Sequence, residues 1–328
     1  MAIKIITAQQ MREIDRITIH ERGVDGLELM ERAGRAVADE VMEHYGPRKV
    51  GIVTGKGNNA GDGLVVARLL KERGVEVVVM MLTQGENLGD AGRANFQRLP
   101  EGVEIVDRHR LPEMEQVFRD CDVVVDAILG TGLEGPIRGT FAEAVACLND
   151  LDIPVVAIDV PSGLDSNTGL AEGACVIAER TVTIGLPKRG LVLGQGETFA
   201  GEVFVADIGF PEDLVGSDDL REHVLELNDA VRALPVRPLE GHKGTFGALL
   251  AICGSGPYSG AAYLTVSTAL RSGCGMVYAA LPERVMDRLA SRMIEAIKAP
   301  LPGGAGGEYR THESWGALEP YLAKADAL

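Results

Sequence analysis

Apolar residues recur along this chain in two rhythms. Behind Thr7-Ala8-Gln9-Gln10, the residues Met11, Ile14 and Ile17 stand three apart. That spacing, behind a Thr…Gln capping pair, predicts a helix. Leu27, Met30, Ala33, Val37 and Val41 predict a second one, stopped at Gly46-Pro47. Both are expected on the outside of a sheet. From Lys49 the rhythm changes to short apolar runs separated by helical stretches. The runs are Val50–Thr54, Val75–Leu82, Val103–Val106, Asp122–Ile128 and Pro154–Asp159, with helices over Leu64–Lys71 and Phe141–Leu148. Unbroken rather than alternating apolar strands predict a mostly parallel sheet covered on both faces. Thr181–Ile184 and Gly201–Asp207 are expected to close it. The fold class is α/β, a doubly wound, Rossmann-like domain.

Phe210–Asp219 carries Pro211, Gly216 and four acidic residues and reads as a linker. A new unit follows Leu239-Glu240, opening with strand Ala248–Cys253 and a Gly-rich turn; Pro302–Gly307 is a further Gly-rich loop. The expected boundaries are a first domain over 1–215, a linker region over 216–239 and the start of another α/β domain over 240–328.

Length agrees: 328 residues suit two domains, and a 46% hydrophobic fraction supplies their cores. No run of eighteen apolar residues exists to cross a bilayer, and the N-terminus has no secretory apolar stretch. The formal charge of −16 opposes nucleic-acid binding. A small phosphorylated ligand stays open, since backbone N–H groups at a helix start can hold it locally. Five scattered cysteines without a CxxC pair read as reduced thiols, hence a cytoplasmic setting.

Three Gly-containing turns follow strands of the first sheet, and in such sheets ligands gather at the carboxyl ends. The first, Gly55-Lys56-Gly57-Asn58-Asn59-Ala60-Gly61-Asp62-Gly63, holds a GxGxxA match between strand and helix. A nicotinamide-dependent oxidoreductase would also end its second strand on an acid for the ribose. Here that strand ends Met80-Met81-Leu82-Thr83, and Glu76 begins it, so that reading is disfavoured. Asn58, Asn59 and Asp62 put two amides and a carboxylate into one turn; the plain alternative is an Asx turn capping the helix.

The second turn runs from Asp126 through Gly130-Thr131-Gly132-Leu133-Glu134-Gly135-Pro136. A carboxylate inside an apolar run is costly unless paired or bound to a cation, and the loop after it offers amides to an anion. Its plain alternative is a flexible surface loop. The third is Asp159-Val160-Pro161-Ser162-Gly163-Leu164-Asp165. Asp159, an acid at a strand end, is the candidate for proton transfer, and Asp165 divides evenly between site residue and turn cap. Asn59, Asp126 and Ser162 bring amide, carboxylate and hydroxyl oxygens from three strand ends, a donor set for a hard cation. With a single carboxylate among them, potassium is the expected ion, beside Asp159 in one shared cavity.

These motifs resemble the NAD(P)H-hydrate repair family in its bacterial bifunctional form. Its epimerase domain bears a GNN-x-GDG turn, a VDA-x-x-GTG-x-x-GP loop and a DxPSGLD turn, found here at Asn58 to Gly63, Asp126 to Pro136 and Asp159 to Asp165. Leu29-Met30-Glu31 with Ala33-Gly34, and Pro187-Lys188 with Gly190-Leu191, match as well. The likeness covers residues 5 to 215, and Ala60 departs where many members have Gly. It implies epimerisation of NADHX or NADPHX, the hydrated reduced nicotinamides, at their hydroxyl-bearing carbon. It places Asn58, Asn59, Ala60, Gly61 and Asp62, the loop from Gly130 to Pro136, and Asp159 on the ligand. It gives potassium to Asn59, Asp126 and Ser162. Lys188 is read either as support for charge at the reacting centre or as a structural ion pair. A homodimer is the family expectation.

His242 to Gly247, Gly254 to Ala261 and Arg271 to Val277 resemble the opening of the family's ribokinase-like dehydratase domain, which uses ADP or ATP. The resemblance puts Ala261 at that domain's substrate site. The family's nucleotide loops and catalytic Asp lie beyond Leu328, so no dehydratase activity is expected of these 328 residues alone, and a strand is expected to begin near the last residues. The competing class is a non-catalytic binding or scaffolding module on the same fold, akin to messenger-RNA decapping scaffolds. Such a module has no need of Asp159 together with the cation donors.

Overall fold

The computed structural model describes residues 3–83, 88–133, 135–309 and 311–328. They form two compact units, Met1–Val231 and Arg232–Leu328.

The first unit opens with β1 (Ile3–Lys4), α1 (Ala8–His20) and α2 (Gly26–Tyr45). Thr7 caps α1 with the full reciprocal box to Gln10, and Gly46 ends α2 in the left-handed conformation (φ 52°), as the sequence reading expects. The chain then alternates: β2 (Lys49–Thr54), α3 (Asn58–Glu72), β3 (Glu76–Met81), α4 (Asp90–Gln97), β4 (Glu104–Asp107), α5 (Met114–Phe118), β5 (Val123–Ala127), α6 (Thr140–Asn149), β6 (Val155–Ile158), β7 (Arg180–Ile184), α7 (Gly196–Ala200) and β8 (Glu202–Ala206). The seven strands from β2 to β8 make one sheet in the order β4-β3-β2-β5-β6-β7-β8, and every pairing within it is parallel.

Both faces of the central strands are dry. In β3, Val77 and Val79 pack with Val37, Leu64 and Leu70 on one side, while Val78 and Met80 pack with Phe118 and Met114 on the other. Successive residues of a strand point to opposite faces, so burial on both explains the unbroken apolar runs. Each such side chain contributes about 1.5–3 kcal/mol.

The strand order reverses between β2 and β5. Chain leaving β2 turns one way and chain leaving β5 the other, which opens a crevice at their carboxyl ends. Close packing of α3 shapes this crevice. A Cβ on Gly63 would lie 2.5 Å from Ala127 Cβ, and one on Gly34 of α2 would lie 2.5 Å from Val65.

The expected linker is a correction. Phe210 and Leu220 are buried with Ile6, Met11 and Leu29, because Gly185 leaves room for the Phe210 ring, 2.6 Å from where a Cβ would stand. The chain continues through α8 (Glu212–Val215), and β9 (His223–Val224) pairs antiparallel with β1. The sequence hid this because, besides Gly185, the anchoring contacts are with Ile6, Met11 and Leu29, at the other end of the unit. A short α9 (Leu227–Ala233) follows.

The second unit holds β10 (Ala248–Ile252), α10 (Ser259–Ser272), β11 (Met276–Pro282), α11 (Glu283–Leu289), β12 (Ile297–Leu301) and α12 (Thr311–Leu322). Its strands run parallel in the order β10-β11-β12. Near the last residues Ala327 bridges to Leu249, where the sequence leads one to expect a strand. Among the described residues no helix is long and apolar enough to cross a membrane.

Candidate active site at the reversal of strand order

A cavity of about 640 Å³ lies at the carboxyl ends of the first unit's strands, within the range of small-ligand sites. Its apolar wall comes from α1 and α2 through Met11, Ile19, Leu29, Met30 and Ala33. Its polar wall comes from strand-end turns: Lys56 to Asn59 with Asp62, Leu129 to Leu133, Asp159 and Lys188.

The turn after β2 is the first turn of α3 itself, which starts at Asn58 instead of Leu64. Gly57 is the N-cap at φ 78° and gives the helix no side-chain acceptor. The first backbone N–H groups of α3 therefore remain without a side-chain cap beside the cavity, an arrangement that suits an anion. The Asx-cap alternative for Asn58 is not what forms. Asn58, Asn59 and Asp62 line the cavity; Ala60 and Gly61 do not. Ala60 is in the hydrophobic core, and Gly61 backs onto Met30, whose Sδ lies 2.7 Å from the position of a Cβ. Their smallness seats the helix.

Asp159 follows β6 and adopts φ 67°, the one non-Gly residue in the left-handed region among those described. Val160 N–H donates to the Ile158 carbonyl across it (2.8 Å), closing a tight turn that costs on the order of 1–3 kcal/mol. The turn aims the carboxylate into the cavity. Asp159 Oδ1 accepts from Ile184 N–H (3.0 Å) and from Lys188 Nζ. Lys188 is 1% exposed and also donates to the Ile184 carbonyl (2.7 Å).

Asp126 and Ser162 meet directly. Ser162 N–H donates to Asp126 Oδ2 (2.8 Å), while Ser162 Oγ and Ile128 N–H lie 2.7 and 3.1 Å from Oδ1. Leu129 N–H donates to Ser162 Oγ (2.8 Å). No cationic side chain pairs with Asp126 among the described residues. Burial pushes its carboxyl up to about 6, against the pull of the Ser162 and Ile128 hydrogen bonds. Asn59 packs beside Gly130, and its Nδ2 is buried without a partner. The expectation of one shared cavity needs correcting here. Asn59 and Asp159 line it, whereas Asp126 and Ser162 are 0% and 1% exposed and stand behind its wall.

The loop after β5 is also divided. Gly130 to Leu133 line the cavity. Gly135 and Pro136 do not, and Pro136 leans on Gly173 instead; Glu134 lies outside the described residues. Asp165 is a turn cap, accepting from the backbone N–H groups of Asn167 (2.9 Å) and Thr168 (2.7 Å). Ala261 belongs to the second unit, exposed in the first turn of α10.

Sequence reasoning missed Asp15. It lines the cavity from α1, between Met11 and Ile19. Burial raises its carboxyl to about 6, Lys188 opposes the rise and Asp159 adds to it. Asp62 is raised well above its ordinary value, first by burial and then by Asp159 and Asp15. The signal was present: Met11, Asp15 and Ile19 are four apart, which sets an acid on an apolar helix stripe. Arg12 and Lys56 line the same cavity.

The family described as YjeF-related protein N-terminus matches residues 26–190. A bifunctional NAD(P)H-hydrate repair enzyme of Moorella thermoacetica is 37% identical over 99% of this chain and 62% of its own length. An NAD(P)H-hydrate epimerase of Limosilactobacillus fermentum is 40% identical over 63% of this chain and 98% of its own. The crystal structure of the yeast protein ynu0 superposes with a TM-score of 0.58 at 25% identity, covering 68% of this chain and 96% of that one. The chain thus spans about 62% of the length of the Moorella enzyme.

Proposed function

The chain belongs to the family of YjeF-related N-terminal domains, and from that premise we propose that its first unit epimerises NADHX and NADPHX at the hydroxyl-bearing ring carbon. The observation that carries this reading is the Asp159–Lys188 pair at the cavity wall, facing the uncapped start of α3. The helix start and Lys56 hold the pyrophosphate, the Gly130–Leu133 loop flanks the ribose and nicotinamide, and the apolar wall of α1 and α2 keeps water from the reduced ring.

The chemistry follows from the substrate. The reacting carbon bears both a ring nitrogen and a hydroxyl, so the nitrogen lone pair can expel the hydroxyl, and oxygen can return on the opposite face. Asp159 takes part in moving the proton, and Lys188 keeps its carboxylate in place. A scaffold would not need a carboxylate held at a strained turn against a buried amine.

Asn59, Asp126 and Ser162 suit potassium by their oxygens, one amide, one carboxylate and one hydroxyl, while the buried Asn59 Nδ2 that lacks a partner is a donor and no ligand. A bound ion would supply positive charge beside the uncompensated Asp126 and tie the loops after β5 and β6 together. We assign residues 240–328 to the start of an ADP- or ATP-dependent dehydratase domain, with Ala261 on its substrate side, supported by matches to bifunctional relatives over 99% of the chain. A cytoplasmic setting, supported by five unbridged cysteines, and a homodimer complete the reading. The test is incubation with mixed NADHX epimers, with and without potassium, followed by chromatographic separation. An epimer ratio relaxing no faster than in buffer would refute it.

A further inference from the structure

Inversion at the hydroxyl-bearing carbon needs two proton movements. First the C–O bond breaks as the oxygen gains a proton and leaves as water, while the ring-nitrogen lone pair forms a C=N bond. Then a water oxygen bonds to the carbon from the other face, the π pair returns to nitrogen, and one water proton is removed. One carboxyl cannot reach both faces of a ring without moving, and Asp159 is fixed by Ile184 N–H and Lys188. A second group must act.

We propose that Asp15 is that second proton-transfer residue, exchanging a proton on the ring face turned away from Asp159. This rests on the epimerase reading above. Asp15 reaches the cavity from α1, an element separate from the strand ends that carry Asp159 and Lys188. It has no hydrogen-bond partner among the described residues, so its proton is not committed to the fold. Asp62 lines the same cavity but is buried, whereas Asp15 is half-buried and can exchange protons with solvent between turnovers. The groups facing Asp15 are Lys188, Asp159 and Asp62, with Arg12 one turn away on α1. Their balance leaves the Asp15 carboxyl at about 6, suited to giving and taking a proton near neutrality.

One proton is then shared between the two carboxyls. With Asp15 protonated and Asp159 ionised, the hydroxyl of one epimer leaves toward Asp15, and the incoming water loses its proton to Asp159. Atoms and charge balance, and the resulting state, Asp159 protonated and Asp15 ionised, is the one that serves the other epimer. Solvent resets the pair through Asp15.

The test is the pH profile of kcat for the 328-residue chain in both directions, for wild type, Asp15→Asn and Asp15→Glu, with NADH binding titrated by fluorescence. Wild-type activity should fall as the pH rises through the limb where the pair loses its shared proton, near 6. Asp15→Asn should lower kcat on the order of 10²-fold and abolish that limb, with NADH affinity kept within a few-fold. Asp15→Glu should restore part of kcat with the limb displaced. An Asp15→Asn enzyme with wild-type kcat and an unchanged limb overturns the inference and leaves the proton to Asp62. If Asp15→Asn does not bind NADH, Asp15→Glu decides: a displaced limb supports the role, an unmoved one removes it. A wild-type chain that does not epimerise at all overturns the functional reading first, and its own arm reveals this.

Discussion

Lys188, 1% exposed, donates its ammonium to Asp159 Oδ1, while Asp159 sits at φ 67° just beyond the end of β6. The two residues are far apart in the chain, and each has an adverse feature alone, a desolvated amine and a strained turn. Together they fix a carboxylate at the rim of the sheet, where the strand order has reversed and a ligand can lie. Local strain of this kind persists only where the surroundings over-determine it. Here Ile184 N–H and the Lys188 ammonium do so from the adjacent strand end.

Asp159→Asn should therefore lose two things. Epimerisation should fall 10²–10⁴-fold, the usual range for a proton-transfer group. Stability should fall by about 3 kcal/mol, because a buried ammonium is left without its counter-charge. Asp159→Asn combined with Lys188→Met should regain much of the stability and none of the activity. Urea unfolding and epimer chromatography separate the two effects; a single variant as stable as wild type would show that the pair does not hold Lys188.

Lys56 lines the cavity, exposed, one position before the N-cap of α3, with no acidic partner among the described residues. In a chain of net charge −16 an unpaired cation beside an uncapped helix start is a local exception to the overall field. Lys56→Ala should raise KM roughly tenfold, about 1.4 kcal/mol, with kcat unchanged, the mark of binding lost equally from substrate and transition state. The difference should shrink at high salt. A fall in kcat at constant KM would contradict this placement.

The sheet was legible because its determinants are local. Runs such as Val75–Leu82 bury both faces and admit one interpretation, and the capping box at Thr7 marks a helix start outright. The three turns were legible for the same reason: each follows its strand directly. What escaped were relationships across long stretches of sequence. Phe210 looked like linker because its seat against Gly185 and Met11 appears only after folding. Asp15 stands on the apolar stripe of its helix with Met11 and Ile19, but the strand ends that make that position a cavity wall lie far along the chain. Ala60 and Gly61 were read as ligand contacts from their motif, yet both serve the seating of α3.

Gly55 tests the crevice itself. A Cβ there would lie 2.1 Å from the Ile128 carbonyl oxygen, at the crossing of the turns after β2 and β5. The obstacle is backbone, which cannot swing aside as a side chain can. Gly55→Ala should destabilise the first unit by about 1–3 kcal/mol and weaken NADH binding by pushing the two loops apart. Calorimetric unfolding with a binding titration would show both; wild-type affinity in a destabilised variant would mean that the loops move without changing the cavity.

Asp126 gives the cation reading a test independent of activity. Its carboxyl stands at about 6 in the folded chain against an ordinary 3.8. Between those values the native state holds the extra proton, so this group's contribution to stability declines as pH rises from about 4 to about 6 and is constant above. The loss amounts to roughly 3 kcal/mol for a two-unit shift. A cation bound to the ionised form acts in the opposite sense. In buffer whose only cation is too large to enter, Asp126→Asn should gain on wild type across that window, since an amide has no charge to desolvate. Added potassium should raise the wild-type Tm at pH 8, do little at pH 5 where the carboxyl is protonated, and leave Asp126→Asn unmoved. A potassium response that is equal at both pH values, or that survives Asp126→Asn, would place the ion elsewhere and leave Asp126 a structural partner of Ser162 alone.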